Sequence, residues 1–523
     1  MVVCYTRAMR WRPLLPYVLS SLGAALWATV VINWHGFIDP DAFYHAEMSR
    51  LILQGPLKAF PWLDLTVFGQ HFADIHFLFH VVVAPFVLLF GDLQGLRIAT
   101  VVLIGILGGA MYYAFDRLDL KPTWLWVTAL FLTLPFIERI SLGKATPMAL
   151  IWFVLGLAFF WKRKDIALAI IACLFALTHN AWAFLAGSVG VLAFGRLLYA
   201  RIVRGCSWWD ALKECGVRGV IACMLGGLVG MLLHPNGLNV FLISWTTLIT
   251  IGLVTPNGHI PMGQEWLPMQ PGTFLVWYSA WLGLMILGLA GLAFAPRKGL
   301  GHAEGERVTS FGWLMAVLLA MSLKSVRVVE YLSPVLAIFC ASIWQSVDVP
   351  KALEDLGLTG KKDGKERYLG YAVAGLIVGL FLQGAVGAWV AFHGSYYADD
   401  IFATTTRAIA ARERPGDRVF NARWDEFPML FHTDQNVRYV SGLDPVLFHV
   451  TTSTLATSYD DLTFGSATPT REQAWSVLHD QIGARFVFIS TKQPKRLLSV
   501  ISTDPRYTLI ASSTDSQAYQ IGP

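Results

Sequence analysis

Apolar segments long enough to cross a lipid bilayer recur along most of this 523-residue chain. A membrane-spanning helix needs about 20 apolar residues, or somewhat fewer when flanking side chains reach back to the interface. Hydrophobic residues make up 55% of the chain and charged residues only 14%, whereas soluble proteins average roughly 25% charged residues. Disorder and nucleic-acid binding both require charge-rich segments, so we expect a polytopic membrane protein with no nucleic-acid partner.

Eleven segments are good candidates for spanning helices, and two more are apolar but awkward. The awkward segments are 75–90, which contains Pro85, and 236–254, which follows His234-Pro235. The eleven candidates lie near residues 14–34, 95–115, 123–137, 146–161, 165–178, 182–199, 217–233, 272–295, 308–323, 328–346 and 368–392.

Basic residues indicate the orientation, because loops that remain in the cytoplasm carry an excess of lysine and arginine. When Arg7, Arg10 and Arg12 lie inside and only the eleven candidates span, most basic residues before position 393 fall on the cytoplasmic side. If 75–90 alone also spanned, this asymmetry would invert. We therefore expect both awkward segments to lie along the outer face or to dip into it. The odd number of spans places the C-terminus outside.

The expected fold is a polytopic α-helical membrane domain, residues 1–392, with about 11 transmembrane helices, followed by an extracytoplasmic mixed α/β domain, residues 393–523. The expected location is a bacterial-type inner or plasma membrane. The first outer loop, 35–94, is far longer than a connection requires. In the polar C-terminal part, alternation and turn residues predict strands at Arg418–Asn421, Val437–Val440, Arg485–Ser490 and Tyr507–Ala511, and helices at Ile401–Arg412 and Arg471–Gln481.

Two carboxylates open the first outer loop, in the sequence Asp39-Pro40-Asp41. Their hard oxygens could hold a divalent cation such as Mg²⁺ or Mn²⁺, and the cation could hold phosphate. Asp41 could instead accept a proton from an acceptor hydroxyl. The alternative is that Asp39 and Pro40 only cap the following helix.

The second outer loop carries Glu138, Arg139 and Lys144 between two membrane helices. Ionisable residues at a helix end in so apolar a chain are costly and usually functional. Glu138 is a candidate carboxylate of the site, and Arg139 and Lys144 are candidates for phosphate binding. The alternative is an interfacial pair of Glu138 with Arg139.

Three further residues are predicted at the outer ends of helices: His179, His234 and Glu265. A single histidine is more often a hydrogen-bonded structural residue than a ligand. Glu265 either faces the cavity or simply solvates its loop. All three are candidates for lining the cavity.

Lys324 and Arg327 lie between two later membrane helices. Arginine offers a bidentate fork to a lipid phosphate or pyrophosphate, so these two residues are candidates for the donor phosphate. The alternative is that Arg327 pairs with Glu330, one helical turn further on.

The layout resembles that of GT-C-type membrane glycosyltransferases. It has one helix, a large outer loop opening with an Asp motif, a second acidic loop, many helices and an outer C-terminal domain. The run Asp41-Ala42-Phe43-Tyr44-His45, with Gly55 further on, is similar to the first-loop motif of oligosaccharyltransferase catalytic subunits.

This resemblance implies roles for residues that match the family's motifs. Asp41 would contact the acceptor or a metal, Glu138 would be the second-loop acid, and Glu265 the acid before the last helices. Arg327 would contact the donor phosphate, and His45 would line the cavity. Trp424-Asp425 would lie on the acceptor side, where oligosaccharyltransferases carry a Trp-Asp motif.

The resemblance also implies a reaction. A sugar on a polyprenyl phosphate or pyrophosphate would pass to a glycan, lipid or protein acceptor on the outer face, with inversion at the anomeric carbon. Membrane lipids would surround the helices, and the lipid tail would lie in a groove between them. The alternatives are a lipid or solute transporter or flippase, and a catalytically inactive scaffold of the same fold.

Overall fold

The computed structural model describes residues 14–247, 249–250, 263–294, 301–348, 351, 365–491 and 494–522. Arg7, Arg10, Arg12 and residues 251–254 of the awkward second segment lie outside this described part. The helices up to residue 394 are α1 Leu15–Val31, α2 Asp41–Leu51, α3 Phe77–Phe90, α4 Asp92–Arg117, α5 Thr123–Phe131, α6 Leu134–Ile140, α7 Thr146–Trp161, α8 Asp165–Thr178, α9 Trp182–Leu198, α10 Trp208–Glu214, α11 Val217–Leu232, α12 Asn239–Trp245, α13 Pro271–Trp277, α14 Ser279–Phe294, α15 His302–Ser322, α16 Val329–Gln345 and α17 Lys365–Gly394.

Several of these helices have the length and composition of membrane spans. Within the described residues, four are long and apolar enough to cross a membrane, or up to seven if each of three bent pairs counts as one span. Four shorter apolar helices, α1, α3, α7 and α8, add to them. The protein is therefore a helical membrane protein, and the number of eleven spans stays a prediction.

The helices α1 and α4 hold the two ends of the first outer loop together. A Cβ atom built on Gly108 would lie 2.6 Å from the Cβ of Ala24, so only glycine permits this approach. The hydroxyl of Ser20 donates a hydrogen bond of 2.8 Å to the Gly108 carbonyl. The two helices that flank the loop are therefore in close contact.

Within the first outer loop, α2 packs against α3, and both pack against α4. The helix α3 has 14 residues and contains Pro85. The segment 236–254 contributes the seven-residue helix α12. That neither awkward segment crosses the membrane stays a prediction.

The C-terminal part, residues 397–522, contains a five-stranded mixed sheet in the order β4-β3-β5-β7-β6. The strand β3 is parallel to both its neighbours, and β7 is antiparallel to both of its own. The strands of the described residues are β1 Gly36–Phe37, β2 Tyr397–Ala398, β3 Arg418–Asn421, β4 Arg438–Tyr439, β5 Phe486–Ser490, β6 Tyr507–Ser512 and β7 Ser516–Ile521. The helices of the C-terminal part are α18 Ala403–Ala410, α19 Phe427–Thr433, α20 Val446–His449, α21 Ser453–Thr463, α22 Arg471–Trp475 and α23 Lys495–Ile501.

All four predicted strands of the C-terminal part are present, and both predicted helical runs contain helix. The strand β7 was not predicted, because its residues Ser516–Ile521 include a serine and two glutamines. This strand lies between β5 and β6, and its pairing rather than its hydrophobicity makes it a strand.

A two-stranded ribbon ties the beginning of the first outer loop to the beginning of the C-terminal part. Gly36 pairs with Ala398 and Phe37 with Tyr397. A Cβ atom on Gly36 would lie 2.3 Å from the Tyr397 carbonyl oxygen, so this position requires glycine. The fully buried guanidinium of Arg97 reinforces the ribbon, because Nη1 donates to Asp399 at 3.0 Å.

The first outer loop and the C-terminal part also share an aromatic core. The ring of Phe60 lies 5.3 Å from that of Phe431, and Trp62 lies 4.9 Å from Phe431. At the edge of this core Asp64 accepts hydrogen bonds from Arg418 at 2.7 Å and from Arg438 at 3.0 Å. The C-terminal part is therefore packed onto the loop that carries Asp39 and Asp41.

Candidate active site

A cavity of about 750 Å³ lies where the outer loops meet the C-terminal part. Its polar wall combines the start of α2, the loop around α6, the segment after residue 263 and the C-terminal part. The predicted site residues that line it are Asp39, Asp41, Glu138, Arg139, Lys144, Glu265, Trp424 and Asp425. Segments that are distant in sequence thus contribute to one polar chamber.

The carboxylates of Asp39 and Asp41 share one lysine. The Nζ atom of Lys144 lies 2.7 Å from Oδ2 of each. The other oxygen of Asp39 accepts the backbone N–H of Asp41 at 2.9 Å, as the capping interpretation predicts. Capping and placement in the cavity therefore occur together.

Enclosure in this chamber changes the acidity of Asp41. Burial raises the pKa of Asp41 to about 6, against the opposing effect of Lys144 and with a further increase from Asp39. Burial disfavours the Lys144 ammonium, but the charges of Asp39 and Asp41 outweigh this and raise the pKa of Lys144. The pair therefore contains a charged lysine beside an unusually basic carboxylate.

A second cluster of charges surrounds Glu265. Arg139 donates to Glu265 at 2.9 Å, and two of its nitrogens donate to Glu330 at 2.9 and 3.0 Å. Arg327 donates to the other oxygen of Glu265 at 3.1 Å. Although burial opposes ionisation, Arg327, Lys144 and Arg139 hold the pKa of Glu265 well below its usual value.

These contacts differ from the local pairs considered in the sequence analysis. There the alternatives were Glu138 with Arg139 and Arg327 with Glu330. The hydrogen bonds instead join Arg139 to residues 126 and 191 positions away, and Arg327 to a residue 62 positions away. Glu138 lines the main cavity beside them.

A second, apolar groove of about 370 Å³ runs between α9 and α15. Phe184, Gly187 and Val191 line one side and Leu314 lines the other. Its polar residues include His179, Lys324, Arg327 and Glu330. The guanidinium of Arg327 lies 4.9 Å from the centre of the Trp266 ring, and Trp266 lines both the groove and the main cavity. The groove therefore meets the charged chamber at Trp266, beside Arg327.

A small side cavity of about 120 Å³ adjoins Asp41 and is lined by His45, His76 and His179. Burial, the largest cause, lowers the pKa of His45 well below its usual value. The Nδ1 atom of His45 lies 2.8 Å from Nε2 of His80. The other ring nitrogen of His80, Nδ1, lies 2.7 Å from Oδ2 of Asp74. Burial, with a further effect of Arg327, also lowers the pKa of His179, to about 3. The predicted His45 and His179 therefore lie at the site as neutral groups.

His234 and Lys324 lie at different places from the main cavity. The Nε2 atom of His234 lies 2.9 Å from the Asp74 carbonyl oxygen, so this histidine holds the first outer loop rather than lining the chamber. Lys324 is exposed at the apolar groove. His234 thus follows the structural interpretation of a single histidine.

The C-terminal part contributes Trp424, Asp425 and two residues that the sequence analysis missed. Asp425 accepts a hydrogen bond of 2.7 Å from Arg423, and both line the cavity. Asp444 also lines it, and burial raises the pKa of Asp444 to about 7. The preceding Leu443 has a φ of 66°, which is costly for a residue with a side chain. Asp444 lies in an Asp-Pro turn of a polar loop, and nothing in that sequence indicates that it reaches the cavity.

The predicted divalent cation can be tested against these residues. The point between Asp39 and Asp41 is where a cation would bind, and Lys144 lies there. A cation therefore fits the pair only if Lys144 leaves it. Among the described residues, the ligand atoms of Glu47, Asp92 and His432 lie within 4.8 Å of one another and form a group able to hold a metal.

The similarities found between this chain and known proteins are to solved structures. No protein-family model matches the chain, and no curated protein matches it significantly. The oligosaccharyltransferase of Archaeoglobus fulgidus is similar in structure, with a TM-score of 0.58 and 13% identity over 97% of this chain and 74% of that one. The same organism's AglB, solved with an inhibitory peptide and a dolichol-phosphate, has a TM-score of 0.58 and 11% identity over 98% and 75%.

ArnT from Cupriavidus metallidurans, bound to undecaprenyl phosphate, is similar over 98% of this chain and 99% of that one, with a TM-score of 0.53 and 14% identity. These proteins are GT-C glycosyltransferases. At this identity the likeness concerns the fold, and it confirms the distant resemblance predicted from the sequence: the chain has the fold of the GT-C membrane glycosyltransferases.

Proposed function

We propose that this protein transfers a sugar from a polyprenyl-phosphate or polyprenyl-pyrophosphate donor to an acceptor on the outer face of the membrane. The observation that carries the proposal is the meeting of the apolar groove and the charged chamber at Trp266, beside Arg327. A lipid tail in the groove would place its phosphate at Arg327 and the attached sugar near Asp41. The solved neighbours with bound dolichol-phosphate and undecaprenyl phosphate support this arrangement.

The reaction is a single displacement. Asp41 accepts the proton of the acceptor hydroxyl or amide, and the acceptor oxygen or nitrogen forms a bond to the anomeric carbon. The bond from that carbon to the phosphate oxygen breaks, and its electron pair leaves with the phosphate. Arg327 stabilises the charge that develops there. One displacement inverts the anomeric centre.

The remaining residues have supporting roles in this proposal. Arg139 and Glu265 hold Arg327 in place, and Lys324 attracts the lipid phosphate at the groove. Glu138, His45 and His179 shape the site around the sugar. Trp424 and Asp425, on the C-terminal part, face the acceptor, which is a glycan, a lipid or a protein.

We further propose the following domains and orientation of the chain in the membrane. The membrane domain comprises residues 1–392 and the extracytoplasmic domain residues 393–523. The N-terminus lies on the cytoplasmic side of a bacterial-type membrane, because the loops rich in lysine and arginine then lie on that side too.

Replacing Asp41 separates an enzyme from a transporter and from an inactive scaffold. In Asp41→Asn we expect loss of transfer by a factor of about 10²–10⁴, because the proton acceptor is gone. Binding of undecaprenyl phosphate should stay within about threefold, since Arg327 and the groove are intact.

The assay would use purified protein, a panel of undecaprenyl-phosphate pentoses and hexoses, and an envelope extract as the source of acceptors. Release of undecaprenyl phosphate reports transfer, and quenching of tryptophan fluorescence reports binding. Lys495→Gln, an exposed residue of the C-terminal part, is the control. Equal transfer by Asp41→Asn and the wild type would contradict the role of Asp41. Lipid movement across vesicles without any transfer would favour the transporter.

A further inference from the structure

A lysine lies where the first-loop carboxylates would hold a metal ion. We propose that Lys144 takes the place of a divalent cation at Asp39 and Asp41, so that transfer proceeds with no divalent cation at this pair. This inference rests on the proposed function for its activity measurement, but its binding measurement is independent of that function.

The geometry of the pair is that of a site already filled by the chain. Oδ2 of Asp39 and Oδ2 of Asp41 both point at one atom, Nζ of Lys144, at 2.7 Å. The lysine side chain is only 13% exposed. A divalent cation at the same point would have to displace the ammonium into a largely enclosed chamber, where an unpaired charge is costly.

The backbone before Lys144 is built for this approach. Gly143 has a φ of 74°, a conformation that side chains rarely adopt. A Cβ atom there would lie 3.2 Å from the Cβ of Ala42 and 3.2 Å from the ring of Phe37. The second outer loop is therefore packed closely onto the first turn of α2, beside Asp41, and the lysine is held there by the fold.

Glu265, which lines the same cavity, is not available to complete a metal site. Glu265 is held by Arg139 through one oxygen and by Arg327 through the other. Mg²⁺ requires near-octahedral coordination by oxygen and usually keeps several waters. Among the described residues, Asp39 and Asp41 belong to no group of three or more possible metal ligands, so a cation there would have few side-chain ligands from that part of the chain.

The charge of the lysine suits the proposed chemistry. One ammonium beside two carboxylates leaves one net negative charge, which Asp41 needs in order to accept a proton. A divalent cation would cancel both negative charges and make Asp41 a weaker base. Lysine therefore holds the two carboxylates together without removing the basicity of the pair.

Titration with Mn²⁺ tests this inference directly. Wild type and Lys144→Ala would each be titrated while the electron paramagnetic resonance signal of free Mn²⁺ is followed. Both would carry His432→Ala, so that the group of Glu47, Asp92 and His432 contributes little. We expect Lys144→Ala to bind Mn²⁺ at least about tenfold more tightly than the wild type, because the two carboxylates lose their cation. Lys495→Ala is the matched control and should bind as the wild type does.

Activity gives the second measurement. Wild-type transfer should be unchanged by EDTA, and transfer by Lys144→Ala should be lost in EDTA and partly restored by Mn²⁺. Lys144→Gln repeats both measurements if the alanine variant does not elute as a folded protein.

Two outcomes would overturn the inference: Mn²⁺ binding by the wild type as tight as by Lys144→Ala, or loss of wild-type transfer in EDTA with recovery in Mn²⁺. If the wild type transfers no sugar at all, the proposed function fails, and the Mn²⁺ titration still decides the role of Lys144.

Discussion

The Nη1 atom of Arg327 donates a hydrogen bond of 3.1 Å to Oε1 of Glu265. Because Arg139 holds the other oxygen of this glutamate, Arg327 is held beside Trp266, where the apolar groove meets the charged chamber. A flexible cation would lose more conformational entropy on binding a phosphate than a guanidinium that is already held. In the proposed function, Glu265 therefore serves to preorganise Arg327.

Replacing Arg327 should weaken the donor complex. In Arg327→Gln we expect the Kd for undecaprenyl phosphate to rise about 10- to 100-fold, since a charge-assisted hydrogen bond contributes roughly 1.5–3 kcal/mol. Fluorescence quenching measures this change. Lys495→Gln removes an exposed positive charge elsewhere and should leave the Kd unchanged. An Arg327→Gln variant that binds the lipid as the wild type does would remove Arg327 from the donor site.

The activity should fall in mild acid. Burial raises the pKa of Asp41 to about 6, so the group is protonated below that pH and cannot accept a proton. We expect kcat/KM to be level above about pH 7 and to fall about tenfold per unit below about pH 6. Asp39→Asn removes a neighbouring negative charge and should move this fall to lower pH. A profile that stays level down to pH 4 or so would show that another group accepts the proton.

If the lipid tail lies in the apolar groove, blocking the groove should raise the KM for long donors more than for short ones. Gly187 lines the groove and has no atom within 4 Å of a built Cβ. In Gly187→Leu we therefore expect a side chain that occupies the lipid path without straining the helix. KM should rise at least about tenfold for a long-chain donor and stay within about threefold for a donor of two or three isoprene units.

Gly190 offers a matched control, because it lies on the same helix and is equally open but does not line the groove. Gly190→Leu should behave as the wild type with both donors. If Gly187→Leu affects long and short donors equally, the groove is not the path of the tail.

The orientation can be tested with cysteine labelling. Ser466 is exposed in the C-terminal part, and Lys213 is exposed on α10, which we predict to be cytoplasmic. In a background without native cysteines, Ser466→Cys should react with a membrane-impermeant maleimide on intact cells. Lys213→Cys should react only after permeabilisation. The reverse pattern would place the chamber on the cytoplasmic side.

Much of the candidate site was predictable because charges are costly in an apolar chain. The side of each basic loop indicated which residues share the outer face, and Asp41, Glu138, Lys144 and Glu265 do line one cavity. Their partners were not predictable. Arg139 pairs with Glu330, 191 residues away, and no local spacing indicates a contact that depends on how the helices pack.

The contribution of the C-terminal part was harder to predict. Trp424 and Asp425 stood out through a family motif, but Asp444 lies in a turn like many others and reaches the cavity only because that part packs onto the first outer loop. This packing depends on aromatic contacts such as Phe60 with Phe431, which join segments that sequence periodicity treats separately.

The ribbon of Gly36–Phe37 with Tyr397–Ala398 has a mechanical consequence. Asp39 follows the first strand by two residues, and the C-terminal part follows the second. If a large acceptor displaces the C-terminal part, the two paired strands connect that displacement to Asp39, whose carboxylate is bound by Lys144. We therefore expect a tilt of the C-terminal part to shift Asp39 and its contact with Lys144.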